Sequence, residues 1–234
     1  APYAGVMTAL AVGDQRAISP AQWQIFTRSG VNHLMSISGL HVTMIAALAF
    51  ALVYYLWRRS ARLTLRLPAR KAAAVAGLVA ALLYAWLAGF AVPAQRTVYM
   101  LAVVAVALWS GRMTSASAVL GMALLIVLLI DPWAVLEAGF WLSFGAVALI
   151  LLVSTGRIAQ PHWLSAWARV QWAVTLGLIP LTLALFQQVS LVSPFANAIA
   201  IPVVSLVVVP LTLIGVVMPF DLVLQIAHTV MAWC

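Results

Sequence analysis

Acidic side chains are almost missing from this chain. Four Asp and Glu stand against twelve Lys and Arg in 234 residues, and charged residues together make up only 7%. With 66% hydrophobic residues and a mean hydropathy of +1.13, so little charge excludes a soluble domain, whose surface could not be covered. The chain reads as a polytopic membrane protein whose solvent is lipid. Cysteine occurs once, at Cys234, which excludes a disulfide framework and a cysteine-based zinc site. There is no Walker A loop, so nucleotide hydrolysis by that route is excluded, and there is no histidine cluster of the metallohydrolase kind. Residues 1–12 lack the basic start of a signal peptide. A last apolar run is cut short at the C-terminus, so the chain is expected to be a piece of a longer protein.

What is present is a series of long apolar runs. The expected fold is an all-α transmembrane bundle with seven complete spans, at about 33–57, 72–90, 96–110, 115–130, 132–153, 168–186 and 196–218, and a truncated eighth from 221. Each complete span approaches the length that crosses ~30 Å of hydrocarbon, the third and fourth being short. Residues 1–13 read as an interfacial or truncated helix. Gly13-Asp14-Gln15-Arg16 breaks it, and Ser19-Pro20 signals a new helix N-terminus. The amphipathic stretch that follows, with Trp23, Ile25 and Phe26 toward the membrane and Arg28 at its end, is expected to lie on the membrane surface within a region 14–29.

Basic charge orients the spans. Six Arg/Lys fall in 58–71, and if that loop is cytoplasmic, strict alternation puts Arg112, Arg157 and Arg169 inside as well, leaving Arg16, Arg28 and Arg96 outside. Most tryptophans, Trp57, Trp109 and Trp133 among them, sit at predicted span ends as an aromatic belt, whereas Trp86 and Trp141 read as deeper packing residues. Gly77, Ala81, Ala85 and Gly89 recur every four residues, a ladder that lets another helix approach closely.

The densest group of polar and small residues opens the first span: Asn32, His33, Ser36, Ser38, Gly39 and His41. At membrane depth such groups are costly unless they face protein or water. On one continuous helix Ser36, Gly39 and Thr43 would share a face, and His33 and His41 would stand about 12 Å apart. Ser-Gly between them permits a break, as in the unwound segments that line transport paths. Arg96 at a helix start opposes the macrodipole, and either snorkels to headgroups or faces a wet vestibule. Asp131 before Pro132 reads as an N-cap, with Glu137 about two turns deeper and available to pair with an arginine such as Arg96. Asn197, Pro202 and Pro210 mark a last span that is kinked, as a gate or simply as a bend. Two functions from different classes fit these residues. One is a channel or a small-solute transporter. The other is an intramembrane Ser/His hydrolase built on the Ser36–Gly39 stretch, for which His162 and His228 are poorly located as bases.

These residues also carry a family resemblance. The run Gly13-Asp14-Gln15-Arg16, then Gly30-Val31-Asn32-His33-Leu34 and Ser36-Ile37-Ser38-Gly39-Leu40-His41-Val42, resembles the competence domain of the ComEC family of DNA-internalisation proteins. So do Gln95-Arg96 followed by Met100, Asp131-Pro132 followed by Gly139-Phe140-Trp141-Leu142-Ser143-Phe144, and Ser193-Pro194-Phe195-Ala196-Asn197 followed by Pro202. Trp141 stands where Gln is frequent in that family, and Glu137 where Asp is frequent.

The resemblance implies a single membrane-embedded competence domain over 1–234, in the bacterial inner membrane, forming a channel that passes one DNA strand into the cytoplasm. It implies no catalysis and no cofactor or metal in this chain, a nuclease-like domain elsewhere in the polypeptide, and as further partners membrane lipids, a DNA receptor and a cytoplasmic DNA-translocating ATPase. A homodimer or completing helices are expected, since seven helices are few for such a path. On this reading Arg16, Arg28 and Arg96 supply an electropositive mouth, and Ser38, His41, Gln95 and Asn197 a polar lining. Asp14, His33, Ser36, Gly39, Glu137, Ser143 and Pro202 are motif positions along the path or its frame.

Overall fold

In hydrocarbon the backbone has no hydrogen-bond partner but itself, and runs of this length satisfy it as helices. The computed structural model describes residues 2–111, 115–155, 162–187, 192–218 and 221–233. Arg112, Arg157 and Cys234 lie outside them, as does any reading of charge orientation that depends on those two arginines. Among the described residues the elements are α1 (Ala4–Val12), α2 (Pro20–Ser29), a 3-10 turn (Asn32–Leu34), α3 (Gly39–Trp57), α4 (Ala61–Arg66), α5 (Ala69–Leu87), α6 (Val92–Ser110), α7 (Ala116–Ile130), a second 3-10 turn (Pro132–Leu136), α8 (Ala138–Ser154), α9 (Trp163–Phe186), α10 (Ser193–Val203), a π-turn (Val204–Val208), α11 (Val209–Val217) and α12 (Asp221–Trp233), with no strand.

Among the described residues, five helices are long and apolar enough to cross a membrane: α3, α5, α6, α9 and the continuous α10–α11 rod, Ser193–Val216; α7 and α8 are shorter apolar helices. The third run is not short as expected. Pro93 occupies the first turn of α6, so the helix begins before Arg96 and reaches 19 residues. The basic stretch 58–71 is not a plain loop, because α4 forms within it and the Trp57 indole N–H donates to the Leu67 carbonyl at 2.9 Å.

Three buried clusters hold the bundle. In the first, α3, α5 and α6 pack through Val42, Ala46, Ala81, Ala85, Ala94 and Val98. Gly77, Ala81 and Ala85 of the small-residue ladder set α5 against α3, with Gly77 facing the Ala46 carbonyl, whereas Gly89 lies beyond α5 in a left-handed turn and takes no part. The Trp57–Leu67 bond at one end, and Ile37 with Ala88 at the other, make α3 and α5 antiparallel. A second cluster joins α6, α7 and α8 through Val103, Val127, Phe140 and Phe144. A third gathers Val6 and Leu10 of α1, Phe26 of α2, Leu34 and Met35 of the loop, and Val204 and Val208 of the π-turn.

The third cluster buries one face of α1, through Val6, Ala9 and Leu10, while Ala4, Thr8 and Val12 stay exposed. The Tyr84 hydroxyl donates to the Leu10 carbonyl at 3.2 Å across 74 positions of chain. Helix α2 forms where Ser19-Pro20 predicts, with Ser19 and Gln22 in a reciprocal capping box, but Phe26 is buried in the core while Ile25 is exposed. Trp86 is 75% exposed and one residue from the end of α5, so it belongs to the aromatic belt and not to the interior. Trp141, also exposed, donates its indole N–H to Val135 at the start of α8.

Candidate functional site

The chain breaks where the polar residues crowd. Gly30 ends α2 in the left-handed region at φ 73, and Asn32–Leu34 form one 3-10 turn. Ser38 is extended, so α3 starts only at Gly39. His33 and Ser36 therefore lie outside the first span, and Ser36 shares no helical face with Gly39 and Thr43. Instead the Ser36 hydroxyl donates back to the His33 carbonyl at 3.2 Å. Leu34, Met35 and Ile37 are buried and pin the loop.

At the start of α3 His41 stands where a capping box carries Glu or Gln. The Ser38 backbone N–H donates to His41 Nδ1 at 3.3 Å. An accepting Nδ1 leaves the proton of the neutral ring on Nε2. His41 is 0% exposed, and Nε2 finds no hydrogen-bond partner among the described residues. The His41 ring thus meets the Ser38 backbone N–H.

Gly39 sets the distance between α3 and α6. A Cβ there would collide with the Thr97 hydroxyl, which is itself held by donating to the Pro93 carbonyl at 3.0 Å. Overpacking of this kind costs roughly 1–3 kcal/mol. Gly39→Val is thus expected to lower the thermal unfolding temperature of the detergent-solubilised protein, whereas Gly39→Ala with Thr97→Ala should recover most of the loss. Wild-type stability in Gly39→Val would refute this close approach.

Arg96 neither snorkels nor opens to a vestibule. Its side chain is 4% exposed, and Nη1 donates to Glu137 Oε2 at 3.0 Å. Gly139 leaves the room for it: a Cβ at that position would stand 2.8 Å from Nη2. Glu137 is 45% exposed, so the pair straddles a boundary, cation inside and carboxylate at the rim. Arg96 Nε is buried without a partner among the described residues. Gln95 secures the turn before α6 by donating to the carbonyl of Phe90, whose φ is +53.

Glu137 reaches this position by a route different from the expected one. Asp131 does cap, accepting from the Trp133 N–H at 3.1 Å, but what it caps is the 3-10 turn Pro132–Leu136. Glu137 is the junction residue just before α8, not a residue two turns inside a helix. Ser143, half-buried, lies one turn beyond Gly139 on the same face of α8.

The last span brings in Asn197. Its side-chain NH2 donates to Ser193 Oγ at 2.9 Å and to the Gly30 carbonyl at 3.5 Å, tying α10 to the loop that precedes α3. Pro202 has no N–H for the Ala198 carbonyl, and the ring of Pro210 crowds the Leu206 carbonyl. Between them the backbone widens into a π-turn, closed by Val209 N–H to the Val204 carbonyl. Ser205 in that turn is buried with its hydroxyl unpartnered among the described residues, and buried Thr212 donates to the Val208 carbonyl. Neither residue was singled out from the sequence. The available signal was a pair of hydroxyl residues seven positions apart, hence on one face, in a proline-bracketed apolar run.

The N-termini of α3, α6 and α8 meet through Gly39–Thr97 and Arg96–Glu137, while Asn197 ties α10 to Gly30 at the end of α2. Each helix N-terminus carries partial positive charge, so such a group favours an anion, here the Glu137 carboxylate. Asp14 and Arg16 form a separate exposed turn, in which Arg16 N–H donates to Asp14 Oδ1 at 3.0 Å. Arg28 is exposed in the last turn of α2, where a cation complements the dipole.

Comparison with known proteins places the chain in one family. The profile of one protein family, described as Competence protein, matches residues 10–234. The chain is 49% identical over 218 residues to competence protein ComA of Neisseria gonorrhoeae, an alignment covering 92% of this chain and 31% of that protein. It is 31% identical to recombination protein 2 of Haemophilus influenzae, covering 91% and 28%, and 31% identical to ComE operon protein 3 of Bacillus subtilis, covering 92% and 26%. The chain thus spans about a third or less of the length of these curated relatives. No solved structure matches.

Proposed function

The chain belongs to the competence protein family, and from that membership we propose that it is the membrane-embedded part of a path by which single-stranded DNA crosses the bacterial inner membrane during DNA uptake. The observation that supports the reading is the meeting of the α3, α6 and α8 N-termini, with Gly39 against Thr97 and Arg96 against Glu137. Phosphates are drawn to such ends by oriented N–H groups and by the dipole, and no enzyme chemistry is needed for passage. Binding must stay weak enough for the strand to move on, which suits a layer whose buried arginine is already paired with Glu137.

In this proposal the chain contributes seven spans and the start of an eighth, with α2, Arg16 and Arg28 on the external side and the 58–71 segment in the cytoplasm. It performs no catalysis. The rest of the polypeptide supplies a nuclease-like domain, a DNA receptor and a translocating ATPase act on either side, and a second copy or further helices complete the path.

The test is uptake of labelled DNA into a nuclease-protected cytoplasmic pool. Cells lacking the whole gene should lose the protected label, and complementation should restore it. Normal uptake in the deletion would mean that the fold is shared with competence proteins and the job is not.

A further inference from the structure

Away from the helix N-termini, an apolar recess of about 220 Å³ opens between α3, α5 and α6. Ala47, Phe50, Gly77, Leu78, Leu101 and Ala105 form its walls. Its one hydroxyl among the described residues, on Thr43, is already engaged with the Gly39 carbonyl at 2.8 Å. A cavity of this character holds hydrocarbon and not water.

At the end of the recess nearest the 58–71 segment the chemistry changes. The Phe50 ring stacks on Tyr54 at 6.1 Å, and the Arg58 guanidinium lies 5.6 Å over Tyr54 and 4.6 Å over Tyr55. Lys71, one helical turn before the wall residue Ala74, sets its ammonium 5.5 Å over Trp109, the neighbour of the wall residue Leu108. Neither cation forms a salt bridge among the described residues. Of the four acidic residues, Asp14, Asp131 and Glu137 are each engaged elsewhere, with Arg16, the Trp133 N–H and Arg96, and Asp221, in the first turn of α12, forms no salt bridge with either cation among the described residues. The aromatic rings hold both cations in place without neutralising them.

We propose that this recess and the two cations at its foot bind one anionic diacyl phospholipid, an acyl chain lying along Ala47, Gly77 and Ala105 and the phosphate held between Arg58 and Lys71. The occupant follows from complementarity: a hydrocarbon slot ending in two uncompensated cations matches a chain that ends in an anion. The site does not rest on the DNA-uptake reading.

Native mass spectrometry of the full-length protein in mild detergent, given equal phosphatidylglycerol and phosphatidylcholine, tests it. The wild type should retain the anionic lipid in about tenfold excess or more, as two juxtamembrane cations command. Arg58→Gln with Lys71→Gln, both outside the core, should erase the preference while leaving total retained lipid nearly unchanged. Ala47→Phe, which fills the recess from its open side, should lower retention of both lipids alike. Equal retention of the two lipids by the wild type overturns the proposal, as does wild-type retention by Ala47→Phe. Conversion of a dimer to a monomer by Ala47→Phe, with lipid still bound, would make the recess a contact between copies and would also overturn it. Loss of the lipid site with intact DNA uptake bears only on uptake, so the two readings fail separately.

Discussion

Replacing Arg96 by glutamate is expected to remove DNA uptake altogether and to lower the amount of protein in the membrane. The side chain is 4% exposed, and its Nη1 is 3.0 Å from Glu137. The variant would set two carboxylates against each other at that spot. Glu137 is 45% exposed and partly hydrated, so the cost falls below the ~3–5 kcal/mol of breaking a fully buried pair, and the new carboxylate buried at position 96 still takes a good part of a typical folding free energy. A loss of protein alone would not reveal whether Arg96 meets DNA. The double variant Arg96→Met with Glu137→Gln separates the two roles. Replacing both ends of such a pair with less polar groups of similar volume is often neutral for stability, so protein level should return. Uptake should not, because the cation at the N-terminal layer is gone. Normal uptake in the double variant would make the pair a structural clamp between α6 and α8 and nothing more.

His41→Ala is the second large effect, and its interpretation depends on a companion. Alanine removes the acceptor of the Ser38 N–H and leaves a void beneath the start of α3. Such truncation is expected to cost about 1–3 kcal/mol for the stranded donor alone, together with loss of uptake. His41→Gln can keep the cap, since glutamine serves at this position of a capping box, but it has no Nε2–H placed as the imidazole has. If His41→Gln reaches wild-type level in the membrane and still fails in nuclease-protected uptake, the buried Nε2–H acts on the path. If it takes up DNA normally, the histidine's work is to start α3, and the polar lining must be sought at Asn197 and Ser205 instead.

How much of this was legible beforehand follows from where each interaction is made. Local rules sufficed for the helical class, for the start of α2 at Ser19-Pro20, for Asp131 as a cap and for the ladder that brings α5 onto α3. Lipid forces apolar runs to close their own hydrogen bonds, and caps and small-residue spacing act within a few positions. The motif blocks were equally visible as blocks, and a partner for Glu137 could be anticipated, because a membrane carboxylate needs one.

Other features depended on groups far apart in the chain. Arg96 looked like an exposed or vestibular cation until Glu137, 41 residues away, and the bare Cα of Gly139 made room for it inside. The break before Gly39 is held by Leu34, Met35 and Ile37 packing into clusters built largely from other helices. The burial of α1, which by composition alone suits an interface just as well, comes from Tyr84 and the π-turn segment. The amino acids of one stretch determine which backbone states are cheap. Which of those states is occupied, and which polar group ends up inside, is settled by the neighbour that pays for its desolvation, and that neighbour is chosen by the packing of the whole bundle.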